Sequence, residues 1–565
     1  MKNYASAVRA APVPQTRQAI AGQVKNNAGG YGFQVGDFDR MVKFITIGTE
    51  GGTYHVDEQK LTKAEAQATI RAISNDPRGS IDEICDVLSR NRAHKRNSAL
   101  FALALATDPA IVTRDDDRNY LYSKLPSVLR TGTDLFVFVG YVSQLRGHGG
   151  QGLQKALSNW YASRDPEKLA YQLMKYQSRE GWSHRDVLRI ARPGAGKRAK
   201  ITDPDTRALI KWALSGFASN TDTMDIGPGG VVARRTLPAR VCYVNRLRRE
   251  QDTLSPKEVA KMILAQDLPR EVIPTQFLNE EIVWQALMKK MPMLGTIRNL
   301  GAMSSKGFLD SMSETEALVL DRLNDGAQVH ASGIHPFHVL LAARTYRQGR
   351  GERGTNTWTV NRKVNTALDS VLKASLRNPT PSGKNILVFI DVSGSMRSVA
   401  DKAYTLAYCF KAIEPQAQIL EFDRAGDGGR YNYATRKYEQ PAGATNVPGT
   451  YRSSITEDTN LEEVMANMRF GGGTDVSLPF QYLIQNNLQK KVDAVIMLTD
   501  SESWAGGRHT FELVDQIRQT NPDFKAVEVQ LAPGYHKQLR GHANELLVSG
   551  FDASVYGVVS EFISQ

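Results

Sequence analysis

Five oxygen-bearing side chains, spread over three separate segments, have the types and settings needed to hold a hard cation. Asp391, Ser393 and Ser395 alternate in Asp-Val-Ser-Gly-Ser directly after the apolar run Asn385–Ile390, and Gly394 lets the chain turn sharply between the two hydroxyls. Thr474 follows three glycines in Phe470-Gly-Gly-Gly-Thr-Asp475, and Asp500 ends a second apolar run, Val495-Ile-Met-Leu-Thr-Asp500. Carboxylates and hydroxyls without His or Cys suit one divalent cation, Mg2+ before Mn2+ or Ca2+, and not zinc. A strand that ends in such groups just before a helix is also a place to hold an anion. The plainer alternative is that Asp391 caps the next helix and the glycines only turn the chain.

A second set of chemically capable residues runs from Gln144 to Lys200, where cations and aromatics interleave. Lys155, Lys175, Arg179, His184, Arg185 and Arg189 stand among Trp160, Tyr161, Tyr176 and Trp182. Cations of this kind bind phosphates, and aromatic or guanidinium planes stack on unpaired bases. The competing reading is a solvated helix face over core tryptophans, with His184 capping its own helix. Two glycine motifs here are decoys. Gly147-x-Gly149-x-x-Gly152 has helical surroundings and no βαβ unit. Gly194-Ala-Gly196-Lys197-Arg198 lacks the Ser or Thr that must follow Lys in a phosphate loop. No nucleophile–base pairing occurs, and the Asp391 cluster is arranged for one ion, not for the two-metal site of a nuclease, so no enzyme is expected.

Charge separates the two sets. Residues 381–565 carry 17 Lys and Arg against 22 Asp and Glu, a net of −5. Residues 1–380 carry 54 against 37, a net of +17. That asymmetry points to a polyanionic partner for the first part. The three cysteines, Cys85, Cys242 and Cys409, are far apart, which argues against a disulfide framework or a thiolate zinc site. Neither a signal peptide nor an apolar run of about 18 residues is present, so a cytoplasmic chain without membrane contact is expected.

The elements that must position these groups fall into three parts. Residues 1–35 are small, polar and Gly-rich and read as a flexible arm. Residues 36–380 are overwhelmingly helical: stripes of apolar residues mark Ile81–Arg90, Gly152–Tyr161, Glu167–Tyr176, Ser183–Ile190, Ser255–Leu264, Pro336–Thr345 and several more. Ser80, Asp165, Ser183 and Ser255 are the expected N-caps. So many short helices in series make an α-solenoid, although no fixed repeat length is visible. Pro379-Thr-Pro381-Ser-Gly383 is the boundary. In residues 381–565 strands at Asn385–Ile390, Gln418–Phe422, Ala494–Leu498, Ala526–Leu531 and Glu545–Ser549 alternate with helices, predicting a doubly wound parallel sheet with Asp391 at a carboxyl end. The polar stretch from Asp423 to Tyr438 reads as a surface insertion.

Asp-x-Ser-x-Ser, a Thr on a glycine loop and a later Thr-Asp together resemble the metal-ion-dependent adhesion site of von Willebrand factor A domains. That resemblance implies that Ser393, Ser395 and Thr474 bind the ion directly while Asp391 and Asp500 hold its waters. A second resemblance covers nearly the whole chain. Gly152-Leu-Gln-Lys-Ala-Leu with Trp160-Tyr161, the string from Lys175 to Arg189, Gly48 to Tyr54, and Ile334-His-Pro-Phe-His-Val-Leu-Leu are similar to the TROVE module of Ro ribonucleoproteins. It implies a ring of HEAT-type helical repeats closed by the A-type domain. It implies a monomer that binds Y-type non-coding RNA and the single-stranded ends of misfolded RNA in RNA quality control and stress response. It also implies an exoribonuclease partner, polynucleotide phosphorylase. On the matching strings Lys155, Lys175, Arg179, His184, Arg185 and Arg189 are the expected RNA contacts. The alternative is a metal-dependent protein-adhesion module whose solenoid also binds protein.

Overall fold

The computed structural model describes residues 12–47, 63, 66–90, 96–147, 150–193, 201–217, 222–225, 234–351, 355–376, 378–424, 430–432, 436–439, 442–456, 459, 464, 468–532, 536–550 and 553–565. The strings 48–54 and 194–198 lie outside them. The chain forms two compact units: one comprises Met1–Ala72, Asp86–Ala99 and Pro379–Gln565, the other Ile73–Cys85 and Leu100–Asn378. The last break falls beside the proline–glycine joint.

The second unit is helical. Its helices pack mainly on partners one to three places along the chain: Asp115–Val128 on Gln151–Ala162, Gln151–Ala162 on His184–Ala191, Pro256–Gln266 on Glu281–Lys290, and Met293–Ser304 on Pro336–Arg347. This is the neighbour-on-neighbour packing of a solenoid. Caps set the starts. The Asp165 carboxylate accepts from the N–H groups of Glu167 and Lys168, with Pro166 in the first turn. Ser183 and Ser255 form capping boxes with Asp186 and Glu258. Ser80 is not a cap. It is buried inside helix Pro77–Ser89, and Asp76 takes the role by accepting from Gly79 N–H at 3.0 Å.

Helix His184–Ala191 is anchored by its first residue. His184 is fully buried, edge-on to Phe136 at 4.7 Å, and its Nδ1 shares a 3.0 Å hydrogen bond with the Tyr161 hydroxyl. Trp160 beside it donates from its indole N–H to the Leu129 carbonyl at 2.6 Å, and the Arg164 guanidinium lies 3.6 Å over its ring. Gly132 must be glycine here, because a Cβ would come within 2.6 Å of Tyr176 and 3.0 Å of His184.

The first unit is built on a six-stranded sheet. Its order is Thr450–Arg452, Gln418–Phe422, Ile386–Asp391, Ala494–Thr499, Lys525–Gln530, Glu545–Ser549. Five strands are parallel as expected; Thr450–Arg452 adds an antiparallel edge beside Gln418–Phe422. The central strands are buried on both faces, hence their unbroken apolar sequence. Leu387, Phe389, Val495 and Met497 face helices Leu478–Gln485 and Thr510–Arg518, in a core with Phe480, Leu483 and Val514. Helices Ala400–Ile413 and Ala553–Ser564 meet each other through Phe410 and Tyr556.

Two expectations are corrected. The arm read over residues 1–35 is folded wherever it is described. Strand Gln23–Lys25 pairs with Tyr31–Gln34, which in turn pairs with His536–Lys537, and buried Gln15, Gln23 and Asn26 find hydrogen-bond partners in the sheet unit. Helix Asp37–Ile47, grouped with the helical part by the division at 380, packs instead on strand Glu545–Ser549. The described part of the 423–438 insertion forms strands Arg430–Asn432 and Lys437–Glu439, which pair with each other, and Arg469–Phe470 adds a third.

Burial pushes the His184 imidazole down to about 3. A histidine depressed below its unfolded value of about 6.5 gives stability that is complete above 6.5 and is lost as pH falls toward 3. Between pH 7 and pH 5 the helical unit is expected to lose about 2 kcal/mol through this residue, and His184→Gln to lose correspondingly less. Urea unfolding followed by tryptophan fluorescence reads that unit, which holds five of the six tryptophans (Trp160, Trp182, Trp212, Trp284 and Trp358). Equal pH slopes for the two proteins would refute it.

Candidate functional site

The metal-ligand candidates lie at the carboxyl ends of two adjacent parallel strands. Ile386–Asp391 pairs with Ala494–Thr499 in register through Ile390 and Leu498, so Asp391 and Asp500 leave the sheet side by side. Asp391 is 1% exposed and Asp500 5%. The Asp391 carboxylate accepts from Ser393 N–H at 2.9 Å and from the Thr499 hydroxyl at 2.7 Å. The Ser395 hydroxyl donates to Asp500, which also accepts from Glu502 N–H at 3.1 Å. Ser393 and Ser395 hydroxyls are 3.3 Å apart across the 3-10 turn Gly394–Ser398.

The glycine loop reaches the same edge. Gly471 N–H donates to the Val392 carbonyl at 3.1 Å, and Asp475 N–H to the Asp423 carbonyl at 2.8 Å. Thr474 is buried, and its carbonyl accepts from the N–H groups of Trp504 and Ala505 at 3.1 Å. A Cβ at Gly473 would meet the Trp504 indole at 2.5 Å, which accounts for the third glycine. Thus Asp391, Ser393, Ser395 and Asp500 share one hydrogen-bonded cluster, and Thr474 is tied by its backbone to the segment that follows Asp500.

Electrostatics supplies the test of fit. Burial and the neighbouring Asp500 raise the Asp391 carboxyl to about 7, and burial raises Asp500 as well. Two carboxylates crowded in a buried pocket of neutral hydroxyls are a donor set that a hard divalent cation would relieve, so these residues fit such an ion. Among the described residues no group of three or more His, Cys, Asp and Glu could hold a metal.

Ser501 and Gln15 are supporting residues that the motif alone does not mark. Ser501 adopts φ +68° and donates its N–H to the Thr499 hydroxyl at 3.0 Å. Its own hydroxyl donates to Glu528 at 2.5 Å and accepts from Gln530 at 2.7 Å. Gln15 donates to Asp475 Oδ1 at 2.8 Å and accepts from Ser503 and Gly506.

The expected RNA contacts divide by exposure. Arg179 stands in a two-residue hairpin, Ser178–Arg179 against Trp182–Ser183, whose corner residues Glu180 and Gly181 both have positive φ. Arg185 and Arg189 lie one turn apart on helix His184–Ala191, and all three arginines are exposed. Lys155 is exposed on helix Gln151–Ala162. Lys175 is half-buried, with its ammonium 3.3 Å from the Tyr171 hydroxyl and 5.6 Å from the centre of the Tyr176 ring. His184 does not belong to the set: its ring lies wholly in the core and cannot reach a ligand. The hairpin and helix thus bring Arg179, Arg185 and Arg189 into one supersecondary unit. Gly147 caps helix Gly132–Arg146 with φ +73°, far from any strand–helix phosphate turn.

Comparison with known proteins is consistent along the whole chain. Residues 24–222 and 250–345 match the TROVE domain, and residues 385–563 match the Ro60 vWA domain. The RNA-binding protein RO60 of Caenorhabditis elegans is 29% identical, over 98% of this chain and 92% of its own length. The RNA-binding protein RO60 of Deinococcus radiodurans is 30% identical, over 100% of this chain and 99% of its own. The crystal structure of the Deinococcus radiodurans RO (RSR) protein superposes with a TM-score of 0.67 at 27% identity, covering 94% of this chain and 99% of that one.

With millimolar Mg2+ the thermal midpoint of the sheet unit is expected to rise by several degrees, as ligand at about 100 Kd adds about 2.7 kcal/mol. Ser393→Ala with Ser395→Ala should abolish the rise while leaving the metal-free midpoint within about 3 °C of the parent. Calorimetry with and without EDTA reads both; an undiminished rise in the double variant would exclude these hydroxyls as ligands.

Proposed function

The chain belongs to the family in which a TROVE domain is followed by a Ro60 vWA domain, and on that premise we propose that it is an RNA-binding scaffold and not an enzyme. The observation that carries this reading is the convergence of exposed arginines, Arg179, Arg185 and Arg189, on one hairpin–helix unit of a region whose net charge is +17. Guanidinium groups held on short, capped elements keep their spacing, and regular spacing is what a phosphate backbone rewards. The printed names of the two RO60 relatives agree with this.

The finer reading follows from the resemblance to Ro ribonucleoproteins. The ligands are Y-type non-coding RNA and the unpaired ends of misfolded RNA, and the work is RNA quality control together with an exoribonuclease such as polynucleotide phosphorylase. The sheet unit holds one Mg2+ at Ser393, Ser395 and Thr474, with Asp391 and Asp500 behind them. When bound there, such an ion would attract an acidic group of a partner. That site supports a second reading, a metal-dependent protein-docking module, which needs no basic helical region. No helix among the described residues is long and apolar enough to cross a membrane.

Binding of an RNA hairpin with a single-stranded 3′ tail should fall steeply with salt. Replacing Arg179, Arg185 and Arg189 together with Gln is expected to weaken it at least about 10-fold near 0.1 M salt. The plot of log affinity against log salt should become shallower by about 2 to 3, close to one for each lost phosphate contact. Filter binding at four salt concentrations measures both. Unchanged affinity and slope would move the RNA surface elsewhere, and salt-independent binding by the parent would favour the docking module.

A further inference from the structure

A cleft of about 340 Å3 opens in the helical unit between helices Met293–Ser304 and Pro336–Arg347. His338, Leu341, Ala342 and Thr345 recur at helical spacing along one wall, and Ile297 and Arg298 stand on the other. Trp358, from the loop that follows, completes the lining.

Trp358 is held in place before any ligand arrives. Its indole N–H donates to the Tyr346 carbonyl at 2.9 Å, and its backbone N–H donates to the Gly349 carbonyl at 2.9 Å. Its ring lies nearly parallel to that of Tyr346, at 16° and 6.2 Å. Tyr346 is in turn fixed through its hydroxyl, 3.1 Å from Ser304 Oγ and accepting from Asn361 N–H at 3.1 Å. Gly301 makes room, since a Cβ there would sit 2.7–2.8 Å from the six-membered ring of Trp358. An indole whose only donor is already committed has nothing left to offer but its flat π surface. Trp358 is half-buried and lines the cleft together with Leu341 and Ile297.

The polar lining is equally selective. Arg298 is exposed, and among the described residues no carboxylate pairs with it. Burial, together with the Arg298 charge, holds the His338 imidazole below its usual range. His338 is therefore neutral near pH 7 and offers one donor and one acceptor, not a second cation. A flat stacking surface, one uncompensated guanidinium and one neutral donor–acceptor pair match three features of a nucleotide: its base, its phosphate and the polar edge of the base. A volume of about 340 Å3 lies at the small end of ligand pockets, which suits one nucleotide and no larger piece of nucleic acid.

We propose that this cleft binds a single nucleotide, with the base against Trp358, the base edge at His338 and the phosphate on Arg298. A free nucleoside monophosphate and the terminal nucleotide of an unpaired RNA strand present the same chemistry. The site shares no residue with the Arg179–Arg189 surface, so either can fail without the other.

The test is titration of the full-length protein with AMP, by calorimetry and tryptophan fluorescence. Saturable binding is expected. Ribose 5-phosphate should bind about 5-fold to 100-fold more weakly for want of stacking, and adenosine about 10-fold more weakly for want of the phosphate. Arg298→Gln, a change at an exposed position, should reduce AMP to the adenosine level and leave adenosine binding unchanged. Trp358→Phe, which keeps a ring but loses area and the hydrogen bond, should weaken AMP and adenosine alike. Displacement of AMP by an unpaired five-nucleotide RNA would assign the terminal nucleotide as occupant, and no displacement would assign the free one. Absence of saturable AMP binding, or parental AMP affinity in both variants, would overturn the proposal.

Discussion

The arrangement of the sheet unit depends on one unfavourable fact, that Asp391 and Asp500 are buried next to each other. Each carboxylate makes the other harder to ionise, and burial adds to the cost. Hydrogen-bond donors must therefore be delivered to both. Thr499 and Ser393 serve Asp391, while Ser395 and the Glu502 N–H serve Asp500. Ser393 and Glu502 sit two residues beyond the acids they serve, so the strand ends have to turn tightly rather than run on, while Thr499 and Ser395 reach across from the neighbouring strand end. The turn after Asp391 is a 3-10 helix, and the turn after Asp500 places Ser501 at positive φ.

The strained turn at Ser501 explains why the sheet unit recruits chain from so far away. A non-glycine residue at φ +68° persists only where its surroundings over-determine it. Glu528 and Gln530 grip its hydroxyl, and Gln538 donates to its carbonyl at 2.9 Å. Glu528 is itself fully buried, and burial raises its carboxyl. Lys43, from helix Asp37–Ile47, reaches in to donate to Gln530 at 2.7 Å. Burial lowers that ammonium to about 8, so even this cation is held against its preference. The N-terminal segment adds Asn26 on the Ser503 carbonyl and Asn27 on Glu502. More than 400 residues separate these partners in sequence, and through them residues 12–47 join the sheet unit.

What was legible in the sequence was what a local pattern determines. Asp391-x-Ser393-x-Ser395 announces itself because the strand before it is apolar without interruption. The capping boxes at Ser183 and Ser255 are visible because both partners lie within four residues. Helix Gly132–Arg146 shows no one-sided stripe because Leu135, Phe136, Val137, Phe138, Val139 and Val142 are all buried. The edge strand Thr450–Arg452 is three residues long, too short for alternation to register. The segment from residue 12 looked loose because its polar side chains read as solvated, when Gln15, Gln23 and Asn26 are buried donors whose acceptors lie near the other end of the chain. Composition cannot distinguish a solvated glutamine from a buried one.

The contrast between His184 and Arg185 shows the limit most sharply. They are adjacent, both are basic by type, and both lie in the string that resembles an RNA-binding module. One residue advances a helix by about 100°, and that rotation carries His184 into a ring of aromatics and Arg185 into solvent. The same rotation brings Arg189, four residues further on, back over Arg185. The burial of His184 fixes the phase of the helix, because its ring fits only against Phe136, Trp160 and Tyr161. The core contact therefore orients the surface: the buried residue decides which arginines face solvent.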